Sequence, residues 1–273
     1  MQFNQRILAA IMFILPTSMH AAQTPEISTQ YLVVGPYGWN NAQIKRSFCL
    51  IVDVPNNIHP VALPVPYCCG YRFDQSEEYT CIKETLDRLN ALNCDIVAAG
   101  ISRGASALLT VLPNLDCKNI KLVIAESPYA CLDDALKHNC CCCPLRLLQW
   151  YMSGYKRHGP HAIQEVTKWP ADLPVVFSTV ENDTWVPINS TERLFRECTS
   201  KQKYLFQFSG PGTPQHGCLR LDPEDRYVPR LHALFKLYRL PYDRAAARAG
   251  EKLMKQSDHQ PREVTENTLL LNE

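Results

Sequence analysis

The pentapeptide Gly100-Ile101-Ser102-Arg103-Gly104 joins two segments of opposite character. Upstream, Cys94-Asp95-Ile96-Val97-Ala98-Ala99 has the length and apolar continuity of a short buried strand. Downstream, the small and aliphatic pattern from Arg103 to Leu112 predicts a helix that stops at Pro113. A chain that passes from strand to helix in so few residues must turn sharply. Flanking glycines remove the Cβ atoms that would strike neighbouring backbone there. The serine hydroxyl is then pushed out at the top of the sheet. An ordinary turn with a capping serine would give the same local pattern, so the rest of the chain has to decide.

Further apolar runs extend the pattern. Tyr31-Leu32-Val33-Val34, Phe48 to Asp53, Ile120 to Ala125, Pro174 to Val180 and Tyr204 to Phe208 read as strands. The Pro-rich stretch holding Pro60, Pro64 and Pro66 reads as a loop. Ser76 to Leu92 is amphipathic, with Tyr79, Ile82, Leu86, Leu89 and Leu92 near helical spacing after a Ser-Glu-Glu start. Strands alternating with helices predict an α/β fold with a doubly wound, mostly parallel sheet. Ligand chemistry then lies at the carboxyl ends of the strands.

Two of those strands deliver titratable residues at their ends. Pro174 to Val180 is followed by Glu181-Asn182-Asp183-Thr184-Trp185-Val186-Pro187, and Tyr204 to Phe208 by a Ser-Gly-Pro-Gly-Thr-Pro loop leading to Gln215-His216-Gly217. A serine hydroxyl is a poor nucleophile at neutral pH and needs a base within hydrogen-bond reach. A carboxylate must hold that base in the correct tautomer.

With a Gly-x-Ser-x-Gly turn and the order Ser, acid, His along the chain, residues 31–240 resemble the α/β-hydrolase superfamily. Residue by residue, the resemblance implies Ser102 as nucleophile, Asp183 as orienting acid and His216 as base. Glu181 shares the acid loop and Asp172 lies nearby; the Asp-x-x-Val-Pro spacing favours Asp183. An oxyanion hole would take one N–H from Arg103 and a second from the loop after residues 31–34. There Gly35-Pro36-Tyr37-Gly38 departs from the usual His-Gly-x-Gly. Proline has no N–H, which leaves Tyr37 as the second donor. The Arg103 side chain has two readings, a contact to an anionic substrate or pairing with a nearby carboxylate; the second is favoured. No metal or cofactor is implied.

Residues 131–168 fall where this superfamily inserts a lid. They hold Cys140 to Cys143, then Leu145, Leu147, Leu148, Trp150, Tyr151 and Met152, which would either cap an acyl pocket or pack on the body. Four adjacent cysteines cannot converge on one metal unaided. Disulfides to distant partners are the expectation, with Cys68, Cys69 and Cys81 as candidates, giving a small Cys-rich lid tethered to the body.

Residues 1–22 carry Arg6, an apolar stretch from Ile7 to Pro16 and Ala21-Ala22, the form of a secretory signal, though an N-terminal membrane anchor fits as well. The apolar stretch is too short to span a bilayer. Thirteen cysteines agree with export to an oxidising, secreted or periplasmic location. The expected organisation is a signal (1–22), a hydrolase domain (23–245) and a polar tail (246–273). A net charge of +1 gives no reason to expect nucleic acid as a partner; the expected partner is a small-molecule acyl substrate. Three functional readings follow: a carboxylic ester hydrolase working through an acyl-enzyme, a serine peptidase or amidase with the same triad, and a non-catalytic hydrolase-like binding protein. The irregular Gly35-Pro36 segment is what supports the third.

Overall fold

Six short apolar runs become the strands of one parallel sheet: β1 (Thr29–Val34), β2 (Ile58–Leu63), β3 (Ile96–Ile101), β4 (Ile120–Glu126), β5 (Val175–Val180) and β6 (Lys203–Phe208). Their order is β2-β1-β3-β4-β5-β6. The computed structural model describes residues 29–34, 58–63, 75–92, 94–139, 160–213 and 216–256. The described helices are α1 (Gln75–Ala91), α2 (Arg103–Val111), α3 (Leu132–Asn139), α4 (Ala162–Glu165), α5 (Ile188–Glu197), α6 (Tyr227–Leu237) and α7 (Arg244–Gln256).

The strands are continuously apolar because both faces of the sheet are covered. Ile96, Ala98, Val123, Ala125, Val175 and Phe177 pack on one side with Ile82, Leu86 and Leu89 of α1 and Leu108 and Leu109 of α2. Their alternates Val97, Ala99, Ile101, Leu122, Ile124 and Val176 pack on the other with Leu231, Leu234 and Phe235 of α6. Every residue of α2 from Gly104 to Val111 is buried. Each enclosed Leu contributes about 1.5–3 kcal/mol of transfer free energy. The turn before α2 is thus mounted on a rigid element.

Strand order places the chemistry. The chain steps outward from β1 to β2, then returns to place β3 on the opposite side of β1. In open parallel sheets that reversal opens a crevice at the carboxyl ends of the two strands involved. Ser102 follows directly on β3 and stands at this point.

Two expectations are corrected. Residues 58–63 form β2, with Pro60 in register with Tyr31. As the outermost described strand, β2 tolerates a residue that lacks a ladder donor. The polar tail expected from residue 246 instead begins as α7, reaching Gln256 and packed on α6. Gly250 permits the contact, since a Cβ there would strike the Pro229 carbonyl. No disulfide is seen among the described residues, where Cys94, Cys117, Cys131, Cys198 and Cys218 are free thiols; the expected pairing of Cys140 to Cys143 with Cys68 or Cys69 falls outside them. They act as small apolar side chains. The Cys117 thiol donates to the Leu112 carbonyl at 3.3 Å, and burial pushes the Cys117 and Cys198 thiols up to about 11.

Both described ends of the expected lid fold onto the body. Ala162 and Val166 join the core beside Trp169, and Asp134 of α3 accepts a hydrogen bond from Ser190 of α5 at 2.8 Å. Residues 140–159, with the four-cysteine run, lie outside the described residues. So do residues 1–22, Tyr37, Phe48 to Asp53, Cys68, Cys69 and 257–273. No helix among the described residues is long and apolar enough to cross a membrane.

Candidate active site

Ser102 occupies φ 54°, ψ −119°, a conformation that side-chain-bearing residues rarely adopt. Such a residue costs on the order of 1–3 kcal/mol and persists only where its surroundings over-determine it. The surroundings here do so. The Ser102 N–H donates to the Glu126 carbonyl at 2.7 Å, and the Ser102 carbonyl accepts from the Ser106 N–H at 3.0 Å. Gly100 is required for a different reason. A Cβ there would lie 2.6 Å from the Ala105 nitrogen, so only glycine lets α2 come this close to β3. Arg103 begins α2, where main-chain N–H groups have no intrahelical acceptor.

The acid loop follows β5. Asp183 is buried, and its two oxygens are divided between two tasks. Oδ1 accepts from the Trp185 and Val186 N–H groups at 2.8 and 2.9 Å. Oδ2 meets His216 Nδ1 at 2.7 Å. Burial by itself would push this carboxyl upward. The His216 hydrogen bond and charge, with the two N–H donors, outweigh burial and hold Asp183 below the usual carboxylate range. With Asp183 ionised, the Nδ1 of His216 carries the ring proton, which leaves Nε2 of the neutral imidazole as an acceptor.

The base loop lies against the Ser102 turn. Gly217 has φ 68°, and a Cβ on it would sit 3.0 Å from Ile101 Cγ2. The residue after His216 therefore packs on the residue before Ser102. The His216 side chain is 14% exposed against 0% for that of Asp183, so the imidazole reaches the surface of the site while its partner does not.

Of the acid candidates, Asp183 is the one brought to His216; the side chains of Glu181 and Asp172 are exposed. Three further residues that the sequence did not single out belong to this neighbourhood. His138 of α3 donates from Nε2 to the Asp183 carbonyl oxygen at 3.0 Å. Trp185, well exposed at 60%, has its ring centroid 6.5 Å from that of His216. Glu126, which ends β4, is almost fully enclosed and accepts from the Leu219 N–H at 3.1 Å. Its place in the last position of an apolar run was the one signal available. Among the described residues no group of three or more His, Cys, Asp or Glu side chains is arranged to hold a metal ion.

No protein-family model and no curated protein sequence matches the chain. Solved structures do. The Pyrococcus furiosus esterase Pf2001 is 14% identical with a TM-score of 0.56, over 78% of this chain and 84% of that one. Est1E from Butyrivibrio proteoclasticus is 14% identical with a TM-score of 0.54, over 85% and 90%. The Pyrococcus horikoshii acylaminoacyl peptidase is 13% identical with a TM-score of 0.57, over 80% of this chain but 38% of that one. A parallel sheet with helices on both faces, shared with esterases and acylaminoacyl peptidases at this identity, defines the class: the chain has the fold of the α/β-hydrolase superfamily.

Proposed function

We propose that this protein is a serine hydrolase that cleaves carboxylic esters of small acyl substrates through an acyl-enzyme. The observation that carries the reading is the 2.7 Å pair of His216 and buried Asp183. It is carried on a loop that packs beside a serine held at positive φ. In this reading Nε2 of His216 accepts the proton of Ser102 as Oγ attacks the acyl carbon. Asp183 stabilises the resulting imidazolium. The oxyanion that forms accepts from the Arg103 N–H, with Tyr37 as the second donor that the sequence implies. The imidazolium then protonates the departing alkoxide, the ester C–O bond breaks and the acyl-serine remains. Water, deprotonated by the same imidazole, attacks it and releases the acid and the free serine.

Replacing Ser102 with alanine tests this directly. The expected result is complete loss of fluorophosphonate labelling and of aryl-ester turnover with an unchanged thermal unfolding midpoint. Retention of half the labelling would remove Ser102 from the role. Peptide or amide hydrolysis is the second reading, favoured by the acylaminoacyl peptidases among the similar folds. Triad chemistry does not separate the two, because substrate choice resides in the pocket. Turnover of aryl esters against aminoacyl amides distinguishes them.

A further inference from the structure

Glu126 ends β4 at the level where Ile101 ends the usable part of β3, and the two are partners in register. Its side chain lies on the sheet face that carries Ile101, Leu219 and Tyr227. Two separate bonds leave this one residue. Its carbonyl oxygen accepts the Ser102 N–H at 2.7 Å, and its carboxyl Oε1 accepts the Leu219 N–H at 3.1 Å, three residues beyond His216. Tyr227 and the charges of His216 and Arg220 act on this carboxyl as well, each drawing it down. Burial raises the neighbouring Cys218 thiol, and the Glu126 charge adds to that rise.

We propose that Glu126 is a positioning residue of the site. Its main chain holds the Ser102 turn, its carboxyl holds the His216 loop in place beside that turn, and its negative charge supports the imidazolium that forms at His216. The proposal rests on the reading of Ser102 and His216 as nucleophile and base. Neighbouring β-strands already fix the backbone of Glu126. Tying the loop to this carboxyl therefore anchors the base to the same rigid residue that anchors the nucleophile. Orientation of this kind matters because small displacements between reacting groups cost large factors in rate.

The groups facing the carboxyl are His216, Cys218 and Arg220 from the base loop and Tyr227 from α6; Ser178 of β5 is its strand neighbour in register. Burial pushes the carboxyl up to about 7, against the opposing pull of the Leu219 N–H, His216, Tyr227 and Arg220. Its charge therefore changes in the same pH range as that of an ordinary histidine.

Two variants separate charge from tether. Glu126→Gln keeps an oxygen for the Leu219 N–H and removes the charge; Glu126→Leu removes both. The ring protons of His216 are followed by NMR against pH, and kcat and KM are measured on an aryl ester across the same range. In Glu126→Gln the His216 midpoint should fall by about half a pH unit or more, and the acid limb of kcat/KM should move down with it. In Glu126→Leu kcat at the plateau should fall about tenfold with KM within about twofold, and Glu126→Gln should recover most of that loss. An unmoved His216 midpoint in Glu126→Gln, or a wild-type kcat in Glu126→Leu, overturns the proposal. The NMR titration does not require hydrolysis. Absent fluorophosphonate labelling of the unaltered protein therefore defeats the hydrolase reading alone, while the titration still judges the link between Glu126 and His216.

Discussion

Asp183 and Glu126 stand at the carboxyl ends of adjacent strands β5 and β4, both nearly sealed from solvent, one bonded to the His216 imidazole and the other to the loop that carries it. Burial pushes each upward as its largest single influence, yet they end on opposite sides of the ordinary carboxylate value. The difference lies in what the loop after the strand supplies. Asp183 sits in a tight turn that aims two N–H groups at Oδ1 while Oδ2 meets the imidazole at 2.7 Å. Glu126 sits within the strand itself, so its main chain is committed to the sheet and to Ser102. Its carboxyl accepts from one main-chain donor, the Leu219 N–H. Enclosure alone therefore does not set the charge of a buried acid; the number of donors pointed at it does.

The largest expected effect comes from Asp183→Asn. The amide keeps the shape but no longer enforces the correct tautomer, so turnover should fall by roughly 10³–10⁴ with KM changed only a few-fold. Steady-state kinetics on an aryl ester would show it. A loss of equal size in Glu126→Gln would erase the distinction drawn between the two acids.

A smaller effect, of opposite sign for the two groups, concerns stability. Glu126 binds its proton more tightly folded than unfolded. Its contribution is full below pH 4.5 and is lost as pH rises toward about 7, by up to about 3 kcal/mol. Asp183 behaves inversely: its contribution is present above its ordinary value and is lost as pH falls through its depressed folded value. Urea unfolding at pH 4.5 and 7.5 should therefore show Glu126→Gln gaining on the unaltered protein as pH rises. A difference independent of pH would mean that Glu126 is ionised throughout.

The smallest expected effect is that of Glu181→Gln. Its side chain is exposed and lies two residues from the acid that does reach the imidazole. Turnover within about twofold of the unaltered protein is expected, measured in the same assay as Asp183→Asn. A dead Glu181→Gln beside an active Asp183→Asn would move the acid to Glu181.

Much of this site was legible because it is locally encoded. The sharp turn at Ser102 follows from Gly100, whose missing Cβ is visible in the sequence before the Ala105 contact is known. Asp183 and His216 were legible through their order along the chain and their positions after apolar runs. Glu126 was not, because a charged residue at the end of a strand reads as the start of a solvent-exposed turn. It becomes buried only when Leu219 and Tyr227, far along the chain, close over it. The same limit hid β2 and α7. Pro60 reads as a loop until the strand is seen at the outer position of the described sheet. The charge-rich run from Arg244 reads as a tail until Gly250 meets Pro229.

Periodicity and turn chemistry act over a few residues. The sequence alone therefore determined the alternation of strands and helices, the sharp serine turn, and the placing of candidate carboxylates and a histidine after later strands. Strand order depends on contacts between segments distant in the chain. Only the tertiary structure decided that β3 lies beside β1 rather than β2, which opens the crevice at Ser102. It also decided which carboxyl would meet His216 and which would lie enclosed beneath the loop that carries it. Those choices rest on burial and on long-range hydrogen bonds that no local pattern specifies.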